Sequence, residues 1–217
     1  MGSFILSGQQ PKRVGKIVCL ARNYVAHIKE LGNATPDAPV LFIKPATSII
    51  GNGDQIVIPA YSDDCHHEVE LAVLIGKQCR NVSADHAYDY IQGYAVALDM
   101  TLRDTQAELK GKGLPWEIAK GFDSSCPLGE FVSADQVQDP HNLQISLTVN
   151  GVVRQDDSSA LMMRRIPETL AHVSTIFTLE EGDVLLTGTP AGVARVVSGD
   201  RLVAKIEGLP ALEVSVA

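Results

Sequence analysis

The run Cys65-His66-His67-Glu68-Val69-Glu70-Leu71-Ala72-Val73-Leu74-Ile75-Gly76 sets two carboxylates one residue apart at the head of an apolar stretch. Branched apolar residues closed by glycine read as a buried strand, too short to span a membrane as a helix. Side chains alternate along a strand, so Glu68 and Glu70 project the same way, with Cα atoms about 7 Å apart. Two unpaired carboxylates about 5 Å apart repel by roughly 3 kcal/mol at an effective dielectric near 20. A divalent cation turns that repulsion into attraction. The alternatives are a solvated strand start, or pairing of one glutamate with a lysine or arginine. His66 shares the same strand face, so a histidine–carboxylate set for iron or zinc is a further alternative.

Other residues have types that could do chemistry. Asp99 ends a second apolar run, Gly93 to Met100, and is a candidate third ligand; it is equally placed as a cap or turn residue before Thr101-Leu102-Arg103-Asp104. Three carboxylates suit a hard dication with oxygen ligands. His27 and Glu30 stand three apart in a short helical stretch and so share a face. A carboxylate beside an imidazole orients it, which a general base needs and which surface pairs also show. Lys120 lies among small residues, either as a surface salt-bridge partner or as a fixed cation lining a pocket. Gly188-Thr189-Pro190-Ala191-Gly192 is a tight loop able to offer N–H groups and a hydroxyl to an anion.

The elements that must position these residues are mostly short strands. Strands are expected at 16–20, 40–45, 55–59, 65–76, 93–100 and 184–187, with two more around Gly208 in 201–216. Residues 144–149 alternate with period two, and Asn150-Gly151 signals a type I′ hairpin returning through 152–155. Helices are expected over 24–31 with Asn23 as N-cap and Gly32 as stop, over 81–92 with Ser83 as N-cap, over 105–112, and over 167–177. The last begins at proline and carries Leu170, Val173, Ile176 and Phe177 on one face. Residues 113–116 read as an irregular loop. Many short strands with a few short helices give an α+β, mainly-β class, with residues 1–15 as a lead-in and 16–217 as one domain.

A chain of 217 residues can bury a sizeable core. Its hydrophobic content of 45% and charged content of 20% are ordinary for a globular protein. A formal net charge of −8 argues against nonspecific nucleic-acid binding and anionic membrane surfaces. The four cysteines, Cys19, Cys65, Cys79 and Cys126, form no C-x-x-C pair and read as reduced thiols. Residues 1–14 hold no apolar signal core, so a cytoplasmic placement is expected.

Four separated clusters, taken with Lys120-Gly121-Phe122-Asp123, resemble the fumarylacetoacetate hydrolase superfamily, most closely its short acylpyruvate hydrolases. They are Arg22-Asn23-Tyr24-x-x-His27-x-x-Glu30; His67-Glu68-Val69-Glu70; Leu98-Asp99 with Arg103, Asp104 and Gln106; and Thr187-Gly188-Thr189-Pro190. The likeness runs from about Ile17 to the C-terminus. It departs at Ala21, where many relatives carry glycine. The resemblance implies a mixed β-sandwich roll, a homodimer, and one Mg²⁺ or Mn²⁺ per subunit on Glu68, Glu70 and Asp99. It implies a base dyad of His27 and Glu30 on a helix that orders over the substrate. Lys120, Arg22, Arg103, Gln106 and Thr189 would meet the substrate, a small 2-keto acid. The implied reaction is C–C hydrolysis of an acylpyruvate, with Glu30 orienting His27, His27 activating water, and Lys120 with Gln106 stabilising the oxyanion. Oxaloacetate decarboxylation, keto–enol tautomerisation and isomerisation of dienoic keto acids use the same site. A non-catalytic binding scaffold is the alternative from another class.

Overall fold

The computed structural model describes residues 2–217. A six-stranded mixed sheet forms its centre, in the spatial order Val132–Ser133, Ile91–Leu98, Val69–Ile75, Val184–Leu186, Lys16–Ala21 and Val40–Pro45. Its one parallel pair joins Val184–Leu186 to Lys16–Ala21. A second sheet of five strands runs Val152–Ser158, Gln144–Val149, Arg201–Ile206, Leu212–Val216 and Gln55–Ile56. A three-stranded patch of Thr101–Leu102, Cys65–His67 and Ala194–Arg195 extends the central strands beyond the first sheet.

The strand alternation read from the sequence is what builds the core. Val69, Leu71, Val73 and Ile75 face the second sheet, among Ile145, Leu147, Leu202, Ala204, Leu212 and Val214. Ala72 and Leu74 face the other way, among Ile17, Cys19, Ala95, Ala97, Val184 and Leu186. Each buried Leu or Val contributes about 1.5–3 kcal/mol, so a one-residue slip of this strand would be prohibitive. The lead-in belongs to this packing, since Phe4 and Leu6 are buried in the second cluster.

Among the described residues four α-helices accompany the sheets: α1 (Val25–Glu30), α2 (Arg103–Lys112), α3 (Glu117–Lys120) and α4 (Ile166–Ile176). Helix α4 turns Ile166, Leu170 and Val173 into the core, while Ile176, expected on the same face, is exposed in the last turn. The hairpin turn has Asn150 and Gly151 at φ 53° and 79°, as type I′ demands.

Local expectations fail where side chains find distant partners. Asn23 does not cap α1; Tyr24 stands there without a side-chain cap bond. The Asn23 amide instead donates to the carbonyls of Arg164 and Thr187 and accepts from Arg164 N, at 2.8–3.0 Å. Residues 84–90 form a 3-10 helix, not the expected α-helix, and the Ser83 side chain makes no cap bond. Only Ala87 of that segment is buried, so no apolar stripe holds a longer helix down. Residues 113–116 form the expected loop, helix α3 follows it at Glu117–Lys120 where no helix was expected, and the 55–59 strand shortens to Gln55–Ile56.

Candidate active site

The ladder between the two central strands decides where the acids meet. Val69 pairs with Leu98 and Glu70 with Ala97. The same register resumes beyond a short gap, with His66 opposite Thr101. Glu68 and Asp99 fall in that gap, joined by the Asp99 N–H donating to the Glu68 carbonyl at 2.8 Å. Opposed side chains of an antiparallel pair lie about 4.5–5.5 Å apart, so Asp99 meets Glu68 directly and Glu70 diagonally. Ala97, the residue opposite Glu70, is too small to fill the space. One oxygen from each of Glu68, Glu70 and Asp99 lies within 4.8 Å of the others, and all three residues are buried.

Bare, such a cluster would cost about 3–4 kcal/mol per pair at an effective dielectric of 20. Three cations offset it. The Lys120 ammonium donates to Asp99 Oδ2 at 2.5 Å, to Thr101 Oγ1 at 2.6 Å and to Glu68 Oε2 at 2.9 Å. The Arg103 guanidinium donates to Glu68 Oε1. Lys44 Nζ lies 2.8 Å from Asp99 Oδ1. Burial pushes the Glu68 carboxyl up, but the charges of Lys120 and Arg103 outweigh it and hold Glu68 well below the usual range. Glu70 has no such partner. Burial first, then the charges of Asp99 and Glu68, pushes it well above the usual range, against the more distant charge of Lys120 and the Gly188 N–H that donates to its Oε2 at 2.6 Å. Burial opposes charge on Lys120 too, yet Asp99 and Glu68 raise its pKa.

The donor set fits a hard dication. It offers only carboxylate oxygens, and Asp99 Oδ1 is buried without a hydrogen bond, its contact to Lys44 lacking bonding geometry. His66 does not join it; its Nε2 lies 2.9 Å from Asp64 Oδ1. That leaves the iron or zinc arrangement without its nitrogen ligand.

One cleft collects the remaining sequence candidates, with Arg22, His27, Arg103, Gln106, Lys120 and Thr189 on its walls beside the three acids. Phe42 and Trp116 close one side, their ring centroids 6.2 Å apart. His27 is buried on α1, and its Nδ1 lies 3.2 Å from Glu30 Oε2. The second Glu30 oxygen accepts from Gly192 N at 3.0 Å, so the same carboxylate that orients the imidazole ties α1 to the 188–192 loop. Arg103 Nη1 donates to Gln106 Oε1 at 2.8 Å, which leaves the Gln106 NH₂ as a donor free to face the cleft. Lys120 is committed differently from the expected oxyanion donor. Its three N–H donors are all taken by protein acceptors, so contact with a substrate oxygen requires one to be released.

Sequence reasoning missed two buried residues here. Lys44 is fully buried and donates to the carbonyls of Met100 at 3.2 Å, Ser125 at 2.9 Å, and Lys120. A lysine closing the apolar strand 40–45 was the available signal. Gln155, in the returning arm of the hairpin, is fully buried and reaches the Thr189-Pro190 loop. Nothing local in the exposed-looking Arg154-Gln155-Asp156 marks it.

Comparison with known proteins follows the same lines. The family profile described as "Fumarylacetoacetate (FAA) hydrolase C-terminal" matches residues 16–217. The chain is 49% identical over 193 residues to human mitochondrial oxaloacetate tautomerase FAHD1, covering 89% of this chain and 87% of that protein. Its identity to the Arabidopsis thaliana protein of the same name is 49% over 205 residues, covering 94% and 92%. Among solved structures, a fumarylpyruvate hydrolase from Pseudomonas aeruginosa in complex with Mn²⁺ and pyruvate superposes with a TM-score of 0.95 at 37% identity. That match covers 99% of this chain and 95% of the other. With the fold, the acid cluster and the cleft in agreement, the chain belongs to the fumarylacetoacetate hydrolase family.

Proposed function

We propose that this protein is a Mg²⁺- or Mn²⁺-dependent enzyme of small 2-keto acids, and that it interconverts the keto and enol forms of oxaloacetate. The observation that carries this reading is the convergence of the Glu68–Glu70–Asp99 cluster and the His27–Glu30 pair on one cleft. Identity near 49% to oxaloacetate tautomerases across most of the chain favours oxaloacetate among the substrates such a site could take. Glu68, Glu70 and Asp99 would hold the ion. When bound, the dication supplies a Lewis acid for the carboxylate and keto oxygens of the substrate and a sink for charge on enolisation.

The chain's own groups do the rest. With Nδ1 on Glu30, His27 has Nε2 free to take a proton from C3 and to return it to the keto oxygen. The Gln106 NH₂ group donates to a substrate oxygen, and the Thr189 hydroxyl to the substrate carboxylate. Arg22 adds positive charge at the wall. Lys120 and Arg103 keep Glu68 ionised and in place.

C–C hydrolysis of an acylpyruvate is the second reading, favoured by the likeness to a fumarylpyruvate hydrolase. There His27 takes its proton from water, hydroxide adds to the distal carbonyl, the bond from that carbonyl to C3 breaks, and His27 returns the proton to C3 to give a carboxylic acid and pyruvate. Oxaloacetate, acetylpyruvate and fumarylpyruvate assayed side by side with Mg²⁺ and with Mn²⁺ separate the two. Faster enolisation of oxaloacetate than cleavage of either diketo acid is the expected result; the reverse order installs the hydrolase reading, and no turnover of any sinks both. His27→Ala should lower kcat by about 10²–10⁴ while calorimetry finds Mn²⁺ affinity unchanged. We also propose a homodimer, and a reducing, cytoplasmic setting, which the four unpaired cysteines support.

A further inference from the structure

We infer that Gln155 is a positioning residue that turns the Thr189 hydroxyl proton into the cleft, making Thr189 a one-way donor to the substrate carboxylate. The inference rests on the keto-acid reading of the site. Every hydrogen-bonding position of the Gln155 amide is used, and two of its partners are backbone groups whose roles cannot reverse. Val69 N–H donates to Oε1 at 3.1 Å, so the oxygen must face that strand. The Pro190 carbonyl accepts from Nε2 at 2.9 Å, so the nitrogen must face the 188–192 loop. The amide orientation is therefore fixed by chemistry. It follows that His67 Nδ1, 3.1 Å from Oε1, carries a proton.

It also follows that the contact between Gln155 Nε2 and Thr189 Oγ1, at 2.8 Å, has the amide as donor and the hydroxyl as acceptor. Thr189 is buried on the cleft wall, and among the described residues Gln155 is the hydroxyl's side-chain partner. With a lone pair occupied from behind, the hydroxyl proton has the cleft as its outlet. The same amide spans the gap at Glu68, through Val69 N, and the loop at Pro190. It thereby fixes the distance between the acid cluster and the Thr189 hydroxyl.

The test is a double-mutant cycle read by pyruvate binding to the Mn²⁺-loaded protein. In Gln155→Glu the carboxylate still accepts from Val69 and His67 but draws the Thr189 proton back towards itself. In Gln155→Met the hydroxyl has no amide behind it. Thr189→Val removes the hydroxyl, and Thr189→Ser restores it. The expected result is pyruvate Kd about tenfold higher in Gln155→Glu and in Thr189→Val, near wild type in Thr189→Ser, and no higher in the double variant than in the singles. Mn²⁺ affinity should stay within threefold, and kcat should move less than KM. Should Gln155→Glu not fold, Gln155→Met enters the same cycle. Additive losses, or pyruvate affinity indifferent to both Gln155 variants, would overturn the inference while leaving the keto-acid reading intact. Wild-type protein that binds Mn²⁺ but not pyruvate would overturn both.

Discussion

Lys44 shows how much of this site is settled by single buried charges. Its ammonium is sealed from solvent between the Asp99 carboxylate and three carbonyls. Two effects compete when it is removed. Loss of one partner of a buried pair costs about 3–5 kcal/mol because the other charge is left unmatched. Loss of a positive charge also makes the three acids more welcoming to a cation. The first should dominate without metal and the second with it. Lys44→Met is therefore expected to lose about 3–5 kcal/mol in urea melts under chelator, and to regain more on adding Mn²⁺ than the wild type gains. Equal stability of variant and wild type under chelator would show that Asp99 does not depend on Lys44.

At the scale of elements, α1 and the 188–192 loop act together. Six residues cannot hold a helix in water, so α1 depends on what it touches. One of its ties runs from Glu30 to Gly192 N. Gly192 sits at φ +99°, and a Cβ there would lie 2.1 Å from the Arg154 carbonyl. Gly192→Ala must therefore push the loop off the hairpin arm that carries Gln155. The expected outcome is a kcat at least tenfold lower with Mn²⁺ affinity retained, because Glu30 loses its anchor and His27 its orientation while the acids stay on their strands. Unchanged kcat in a folded Gly192→Ala protein would mean that the loop does not hold α1 in its working position.

Across the whole molecule, stability should depend on pH through a histidine that does not line the cleft. His141 is buried, and its Nε2 accepts from Ile166 N at 3.3 Å, at the first residue of α4. Burial, and then the charge of Arg165, lowers its pKa against the opposing pull of Asp139 and Glu168. The folded state thus prefers neutral imidazole, and an added proton would both remove the acceptor and place positive charge at a helix N-terminus. The unfolded chain binds the proton first, so the contribution is complete above the ordinary value of 6.5 and is lost as pH falls below it. Melting temperature should decline from about pH 6.5 downwards. His141→Gln, which keeps an acceptor that does not titrate, should flatten part of that decline. An identical pH profile in the variant would remove His141 from the account.

The sequence by itself determined most of the strands and the faces they bury, and it pointed to the chemistry proposed for the cleft. Alternation over 65–76 committed Glu68 and Glu70 to one side, because apolar neighbours on the other side had to be buried. The Asn150-Gly151 turn and the α4 stripe were equally local signals. Asp99, at the end of the second apolar run, was legible as their companion, and the family's motifs added His27, Glu30 and the residues expected at the substrate. Only the tertiary structure decided what meets what. The ladder register set Asp99 against Glu68 and placed small Ala97 beside Glu70. Long-range bonds took Asn23 away from its helix, brought Lys44 beneath Asp99, used up the donors of Lys120, and put Gln155 behind Thr189. Periodicity reports which face of an element is apolar. It carries no term for a buried polar group whose partner lies a hundred residues away, where the cost of leaving that group unpaired, about 1–3 kcal/mol or more for a charge, selects the arrangement.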